Sequence, residues 1–195
     1  MIRILLAVSL FTIASCKSEP PGVPKPRAFP KVEYPQRSEV AFASEDCPFT
    51  FNYPDYFEVE LKTSFFGEEP DNPCWFDLHS NTLNAKIHCS YYKISDADPF
   101  DKLVRDAFTM ANKINQRSNF MDEIRVGNEN GVGGLIMEFT GPAASPMHFY
   151  LSDTTEHFLK GSLYFNTKAR PDSLAPITEF IKTDIAGIIN SFSWQ

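Results

Sequence analysis

The sequence predicts an α+β domain in which two long helices cover an antiparallel sheet. Three observations support this prediction. Alternating apolar residues mark several short strands, a helical period of three and four occurs in two segments, and the order is strands, helix, strands, helix. The 18 phenylalanines and 7 tyrosines among 195 residues supply large, stiff side chains suited to a packed sheet. A chain of this length can bury one core.

The N-terminus has the pattern of a lipoprotein signal peptide. Arg3 precedes an almost wholly apolar run from Ile4 to Ile13, and Ala14-Ser15-Cys16 closes that run with small residues before a cysteine. The run is too short to cross a hydrocarbon core, which takes about 20 helical residues. We therefore predict cleavage of residues 1–15 and acylation of Cys16, which would anchor the protein to a membrane. The alternative is an ordinary secretory signal in which Cys16 is incidental.

Residues 16–38 are predicted to form the acylated cysteine and a proline-rich tether. Six prolines lie between residues 20 and 35, which removes too many N–H donors for a helix or a central strand. We expect this stretch to be an extended spacer. A single α+β domain is expected over residues 39–195.

The strands of this domain are predicted from alternation. Phe49, Phe51 and Tyr53 share one face of the first strand, and residues 53–56 are typical of a turn into a second strand over residues 57–61. Further strands are expected at residues 74–79, 85–92, 121–126, 134–140, 147–151 and 158–165. Residues 152–156 are expected to form a hairpin tip.

Two segments have helical patterns. In the first, Asp98 can cap a helix that starts at Pro99, and apolar residues then repeat at three and four up to Ile114. The second follows Pro171 and carries one apolar stripe over residues 177–189. Two aromatic residues are expected to pack against its exit: Phe192 and Trp194.

Three cysteines remain if Cys16 is acylated, so at most one internal disulfide can form. Cys89 lies on the apolar face of its predicted strand, where a thiol behaves as a small apolar group. Cys47 and Cys74 instead stand at strand starts, each beside a proline. We predict a Cys47–Cys74 bridge worth about 3 kcal/mol. The alternatives are three reduced thiols or a bridge through Cys89.

Motifs that would carry chemistry are absent from the sequence. The four histidines show no HExxH motif and no helical pairing, and there is no CxxC motif, so neither a metal nor another cofactor is predicted. His88 lies opposite the apolar face of its strand and is expected to be solvated. Asp153, Glu156 and His157 could form a catalytic or ligand-binding group, but a polar hairpin tip explains them equally well.

The charge balance limits the partners. The chain has 25 acidic and 18 basic residues and a formal net charge of -7. Nucleic acid is not expected to bind, because phosphate contacts need a surface rich in Lys and Arg.

Several motifs resemble the gliding-motility lipoprotein family GldD. They are CPFTF at Cys47–Phe51, LVRDA at Leu103–Ala107, TEHFLKGSLYF at Thr155–Phe165, DSLAP at Asp172–Pro176 and IKTD at Ile181–Asp184. The resemblance implies a cell-envelope lipoprotein of Bacteroidetes-type bacteria, needed for gliding and linked to type IX secretion, with no known reaction. The family's two mature-domain cysteines correspond to Cys47 and Cys74, which supports the predicted bridge.

The turn after the first strand and the positions of both helices are more distantly similar to the Mog1/PsbP-type sandwich, whose members commonly serve as binding modules. We therefore expect a non-catalytic protein with its domain in the periplasm, on either the inner or the outer membrane. The expected contact surface is the hairpin over residues 147–165, with Asp153, His157 and Tyr164 as candidate partner-binding residues. The alternative function is a small-ligand binder or hydrolase with a site around His157.

Overall fold

The computed structural model describes residues 31–62 and 72–195. The predicted signal peptide, Cys16 and the tether up to residue 30 lie outside these ranges. The described elements are the strands β1 (Glu39–Phe42), β2 (Phe49–Pro54), β3 (Glu58–Leu61), β4 (Trp75–Ser80) and β5 (Ala85–Lys93), the helix α1 (Phe100–Asn115), the strands β6 (Phe120–Gly127), β7 (Gly133–Thr140), β8 (Met147–Ser152) and β9 (His157–Phe165), the helix α2 (Pro171–Ser191) and the strand β10 (Ser193–Trp194).

The strands form two antiparallel sheets. The small sheet has the order β1-β2-β10, and the large sheet has the order β3-β4-β5-β9-β8-β7-β6. We call the face of the large sheet that packs against the small sheet and α2 the inner face, and the opposite face the outer face. The predicted α+β class with two long helices is confirmed, but the strands are divided between two sheets instead of forming one.

Aromatic packing holds the two sheets together. Phe49 and Phe51 of β2 pack against Phe76 of β4, with ring centroids 5.9 and 5.8 Å from that of Phe76, and all three side chains are buried. Phe192, which follows α2, lies 5.4 Å from Phe49 and is fully buried. The expected packing of Phe192 at the helix exit is therefore confirmed. Rings of this size dominate core energetics because each buries a large apolar area.

The helices cover opposite faces of the large sheet. α2 packs beside β2 and buries an isoleucine stripe in the core of the inner face. α1 lies on the outer face over β7 and β9 and buries Leu103, Ala107 and Ala111. Asp98 does not cap α1, because the N-cap residue is Pro99 and the Asp98 carboxylate accepts a hydrogen bond from Lys102 Nζ at 2.7 Å. No helix in the described part of the chain is both long enough and apolar enough to span a membrane.

The predicted turn at residues 53–56 is present, but it joins two sheets. The Phe57 N–H donates to the Pro54 carbonyl oxygen at 3.0 Å. β2 pairs with β1 and β10, whereas β3 pairs with β4. The turn therefore carries the chain from the small sheet to the edge of the large one.

The segment before β1 is fastened to α2 through Arg37. Its Nε donates to Asp184 Oδ1 at 2.5 Å, a second guanidinium nitrogen donates to the Phe180 carbonyl oxygen at 3.0 Å, and the group lies 4.0 Å from the Phe180 ring centroid. The Tyr56 hydroxyl donates to the other oxygen of Asp184. The Asp184 side chain is fully buried, so these donors satisfy a carboxylate that water does not reach.

Candidate functional site

Cys47, Cys74 and Cys89 have the arrangement that the sequence predicts. Cys47 and Cys74 form a disulfide with a Cα–Cα distance of 5.4 Å, which joins the start of β2 to the start of β4. Cys89 is a free, buried thiol on the inner face, and burial raises its pKa. A neutral thiol in such surroundings packs as an apolar group.

Asp153 shapes the tip of the β8–β9 hairpin. Its Oδ1 accepts hydrogen bonds from the backbone N–H groups of Thr155, Glu156 and His157 at 2.9 to 3.0 Å. Burial alone would raise the pKa of Asp153, but these N–H donors, with that of His157 the largest, bring the pKa below its usual value. The ionised carboxylate therefore stabilises the turn, in which Thr154 has a φ of 69°.

His157 packs against the C-terminal strand. Its ring stacks on Trp194 with centroids 5.1 Å apart, and its Nδ1 lies 2.8 Å from the Tyr91 hydroxyl. Burial, together with Asp153 and Glu156, raises the pKa of that hydroxyl to about 12. Asp153 contacts the backbone of His157, so the two side chains do not form the Asp–His pair that a general base requires.

The hairpin tip borders a shallow concave surface of about 460 Å³, which we call the acidic end. Its lining includes the acidic residues Glu45, Asp46 and Glu156, together with His157, Lys93 and Gln195. Three carboxylates beside one lysine favour a basic binding partner.

Tyr164 lies elsewhere. Tyr164 lies seven positions after His157 on β9, and because side chains alternate along a strand, the two point to opposite faces of the sheet. Tyr164 lines a cavity on the outer face, so the structure brings Asp153 and His157 together but not Tyr164.

A polar row that the sequence did not reveal crosses the outer face. Asp77, His88, Ser162 and His148 occupy directly opposed positions on β4, β5, β9 and β8. We call these four residues the outer-face row. None of the four residues ends its strand, and most of the residues that point to the other face of these strands are apolar. A polar residue inside such a strand is visible in the sequence. The alignment of the four residues in one row depends on the order of the strands, which the sequence does not show.

Asp77 is the electrostatic centre of the row. It is 1% exposed, and its oxygens lie 2.7 Å from His88 Nδ1, 2.9 Å from Lys62 Nζ and 3.2 Å from Lys86 Nζ. Burial alone would raise its pKa, but the His88 and Lys62 hydrogen bonds hold the pKa well below the usual range. The expectation that His88 is solvated is wrong, since it pairs with a buried carboxylate and is only 24% exposed.

A cavity of about 570 Å³ lies over the row, which we call the outer-face cavity. Trp75, Tyr92 and Met110 contribute apolar walls, and Lys86 and Lys160 contribute ammonium groups. The Lys160 Nζ lies 4.4 Å from the Tyr92 ring centroid.

His148 is the most buried polar ring of the cavity lining. It is 4% exposed, and its Nε2 has no hydrogen-bond partner among the described residues. Burial, with a smaller contribution from Lys160, lowers the pKa of His148 to about 4. The ring is therefore neutral at neutral pH.

The outer-face row does not form a hydrogen-bonded catalytic triad in the described structure. Asp77 orients the His88 ring and Ser162 stands on the next strand, but no hydrogen bond joins His88 to Ser162 in the described structure. No group of three or more His, Cys, Asp or Glu side chains within residues 31–62 and 72–195 converges as metal ligands would.

Comparisons with known proteins give a family. The chain matches the family described as gliding motility lipoprotein GldD over residues 19–194. No curated protein sequence matches the chain significantly. Among solved structures, the solution structure of cyanobacterial PsbP (CyanoP) from Synechocystis sp. PCC 6803 is similar, with a TM-score of 0.48 and 10% identity over 83% of this chain and 95% of that chain.

The family match includes every described element, from β1 to β10. Lipoproteins of this description are envelope proteins associated with gliding motility. The chain belongs to the gliding motility lipoprotein GldD family.

Proposed function

We propose that the protein is a lipid-anchored envelope component required for gliding and linked to type IX secretion, and that it acts by binding partner proteins rather than by catalysis. The family match over residues 19–194 carries this proposal, because it includes every described strand and helix. Acylation at Cys16 would provide the anchor, and residues 17–38 would provide the spacer.

The disulfide supports a domain in the periplasm. Cys47 and Cys74 are bridged and buried, and such bridges persist in oxidising compartments such as the bacterial periplasm. Cys89 is buried away from solvent, so it does not compete for the bridge.

The acidic end is the proposed contact for a basic partner protein. Asp153 holds the exposed tip residues in place, and His157 is fixed by Tyr91 and Trp194, so the surface is preorganised. Tyr164 faces the outer-face cavity and would serve a separate contact.

Deletion of the gene tests the proposed role, with gliding on agar and export of type IX cargo as readouts. We expect both to be lost, and both to return with the wild-type gene. A Cys16→Ala gene should not restore them if the anchor is required. Normal gliding and secretion in the deletion strain would contradict the proposal.

Charge reversal tests the acidic end. The double variant Glu45→Lys with Glu156→Lys should weaken partner cross-linking from a photoreactive residue at Thr155 at least several-fold. Asp122→Lys is the matched control, because Asp122 is an exposed acid on β6 that does not line the acidic end. Equal cross-linking in the wild type and the double variant would remove this surface from the proposal.

Replacement of His157 tests the catalytic alternative. If His157→Ala abolished function at normal abundance, with unchanged thermal stability and unchanged partner cross-linking from position 155, a chemical role for His157 would replace the binding role. We expect instead that any loss of function parallels a loss of stability, because the ring packs on Trp194.

A further inference from the structure

The outer-face cavity lies on the side of the large sheet opposite the small sheet, away from the acidic end. From its lining we infer that the cavity binds a small molecule with one carboxylate and an apolar, aromatic body. This inference is independent of the proposed role in gliding and secretion.

The walls suit an apolar body. Trp75 and Tyr92 lie 5.7 Å apart between ring centroids on one side, and Ala107 and Met110 of α1 close the other side. Aromatic side chains favour flat apolar groups through stacking and edge contacts. The volume of about 570 Å³ falls in the range of small-molecule sites, which is about 300 to 1,000 Å³.

The charges around the cavity favour an anion. Asp77, beneath the floor, already accepts ion pairs from Lys62 and Lys86 as well as a hydrogen bond from His88. Glu60 is 67% exposed and pairs with Lys62. Lys160, in contrast, has no carboxylate partner among the described residues and rests over the Tyr92 ring.

The floor offers hydrogen-bonding groups that are not used within the protein. The hydroxyl of Ser162 makes no hydrogen bond in the described part of the chain, and His148 Nε2 is buried without a partner. Ser162 and Lys160 are two residues apart on β9, so both side chains face the cavity. A buried polar group without a partner costs free energy that a ligand or a water molecule recovers. A ligand carboxylate held between the Lys160 ammonium and the Ser162 hydroxyl would give the ammonium an ion-pair partner and the hydroxyl a hydrogen-bond acceptor.

Isothermal titration calorimetry with the full chain in lipid nanodiscs tests the inference, with empty nanodiscs as the blank. The probes are naphthalene-2-carboxylate and its neutral isostere naphthalene-2-carboxamide. We expect the carboxylate to bind at least 10-fold more tightly than the carboxamide. Lys160→Met should remove that difference by weakening the carboxylate about 10-fold, while Lys113→Met, an exposed lysine of α1 outside the cavity, should change neither affinity.

A second variant separates ligand contact from folding. Met110 lines the cavity but is 45% exposed, so Met110→Trp fills the cavity without disturbing the core, and we expect it to weaken both probes together. The inference is overturned if the wild type gives no saturable heat at millimolar carboxylate, if the two probes bind equally, or if Met110→Trp changes neither affinity.

Discussion

Acidification should destabilise this protein through His148. The ring is 4% exposed, and its pKa lies at about 4 in the folded protein, against about 6.5 in an unfolded chain. Between these two values the unfolded chain binds a proton that the folded protein does not. The contribution of the neutral His148 ring to the free energy of unfolding is therefore fully present above about pH 6.5 and declines as the pH falls towards 4.

The size of the effect follows from the two pKa values. Integration of the proton-binding difference from pH 7.5 to pH 4.5 gives a loss of about 2.5 kcal/mol in the free energy of unfolding. Asp77 adds little in this window, because its folded pKa is depressed and its contribution is lost only as the pH falls below about 4. For a domain whose total stability is about 5 to 15 kcal/mol, the His148 effect is large.

Urea unfolding followed by far-ultraviolet circular dichroism measures the effect in the wild type and in His148→Gln, which cannot take up the proton. On going from pH 7.5 to pH 4.5, the free energy of unfolding of the wild type should fall by about 2.5 kcal/mol more than that of the variant. Phe149→Leu, a buried replacement of the next residue on β8, should lower stability equally at both pH values. A wild-type-to-Gln difference that stays constant within about 0.5 kcal/mol would refute the assignment of a neutral, buried His148.

Further substitutions test the core and its fastenings by the same unfolding assay. Replacing both Cys47 and Cys74 with alanine should cost about 3 kcal/mol, because the bridge closes a sequence separation of 27 residues, and an unchanged urea midpoint would argue against the bridge. Asp184→Ala should cost about 2 to 3 kcal/mol, since the Tyr56 hydroxyl and Arg37 lose a buried acceptor. Gly134→Ala should lower the free energy of unfolding by more than about 2 kcal/mol, because the new Cβ would overlap the Tyr150 carbonyl oxygen. Gly187→Ala, on the open side of α2, should instead raise it by about 0.5 to 1 kcal/mol. Equal effects of the two glycine replacements would contradict this account.

The strands and helices that bury one face can be predicted from the sequence. Phe49 and Phe51 alternate with polar residues, and α1 repeats its apolar residues at helical spacing, so one-dimensional periodicity was enough. β1 and β10 were not predicted, because strands of four and two residues carry too little pattern. The division into two sheets was also missed, since a turn such as residues 53–56 fits a hairpin or a crossing between sheets equally well.

The candidate sites are harder to predict from the sequence than the strands and helices. Cys47 and Cys74 could be paired because three cysteines allow few choices and Cys89 has an apolar position. Asp77 and His88 are distant from Ser162 in the chain, and only the pairing of β5 with β9 places them in one row. Register and strand order are non-local properties, so no local pattern identifies the outer-face row.

The Arg37 contact determines where a mechanical load enters the domain. If the N-terminus is anchored as proposed, tension along the chain reaches Arg37 before it reaches β1, and the guanidinium donates hydrogen bonds to Asp184 and to the Phe180 carbonyl oxygen of α2. The pull is thus shared with a helix embedded in the core, instead of peeling a four-residue edge strand from its neighbour.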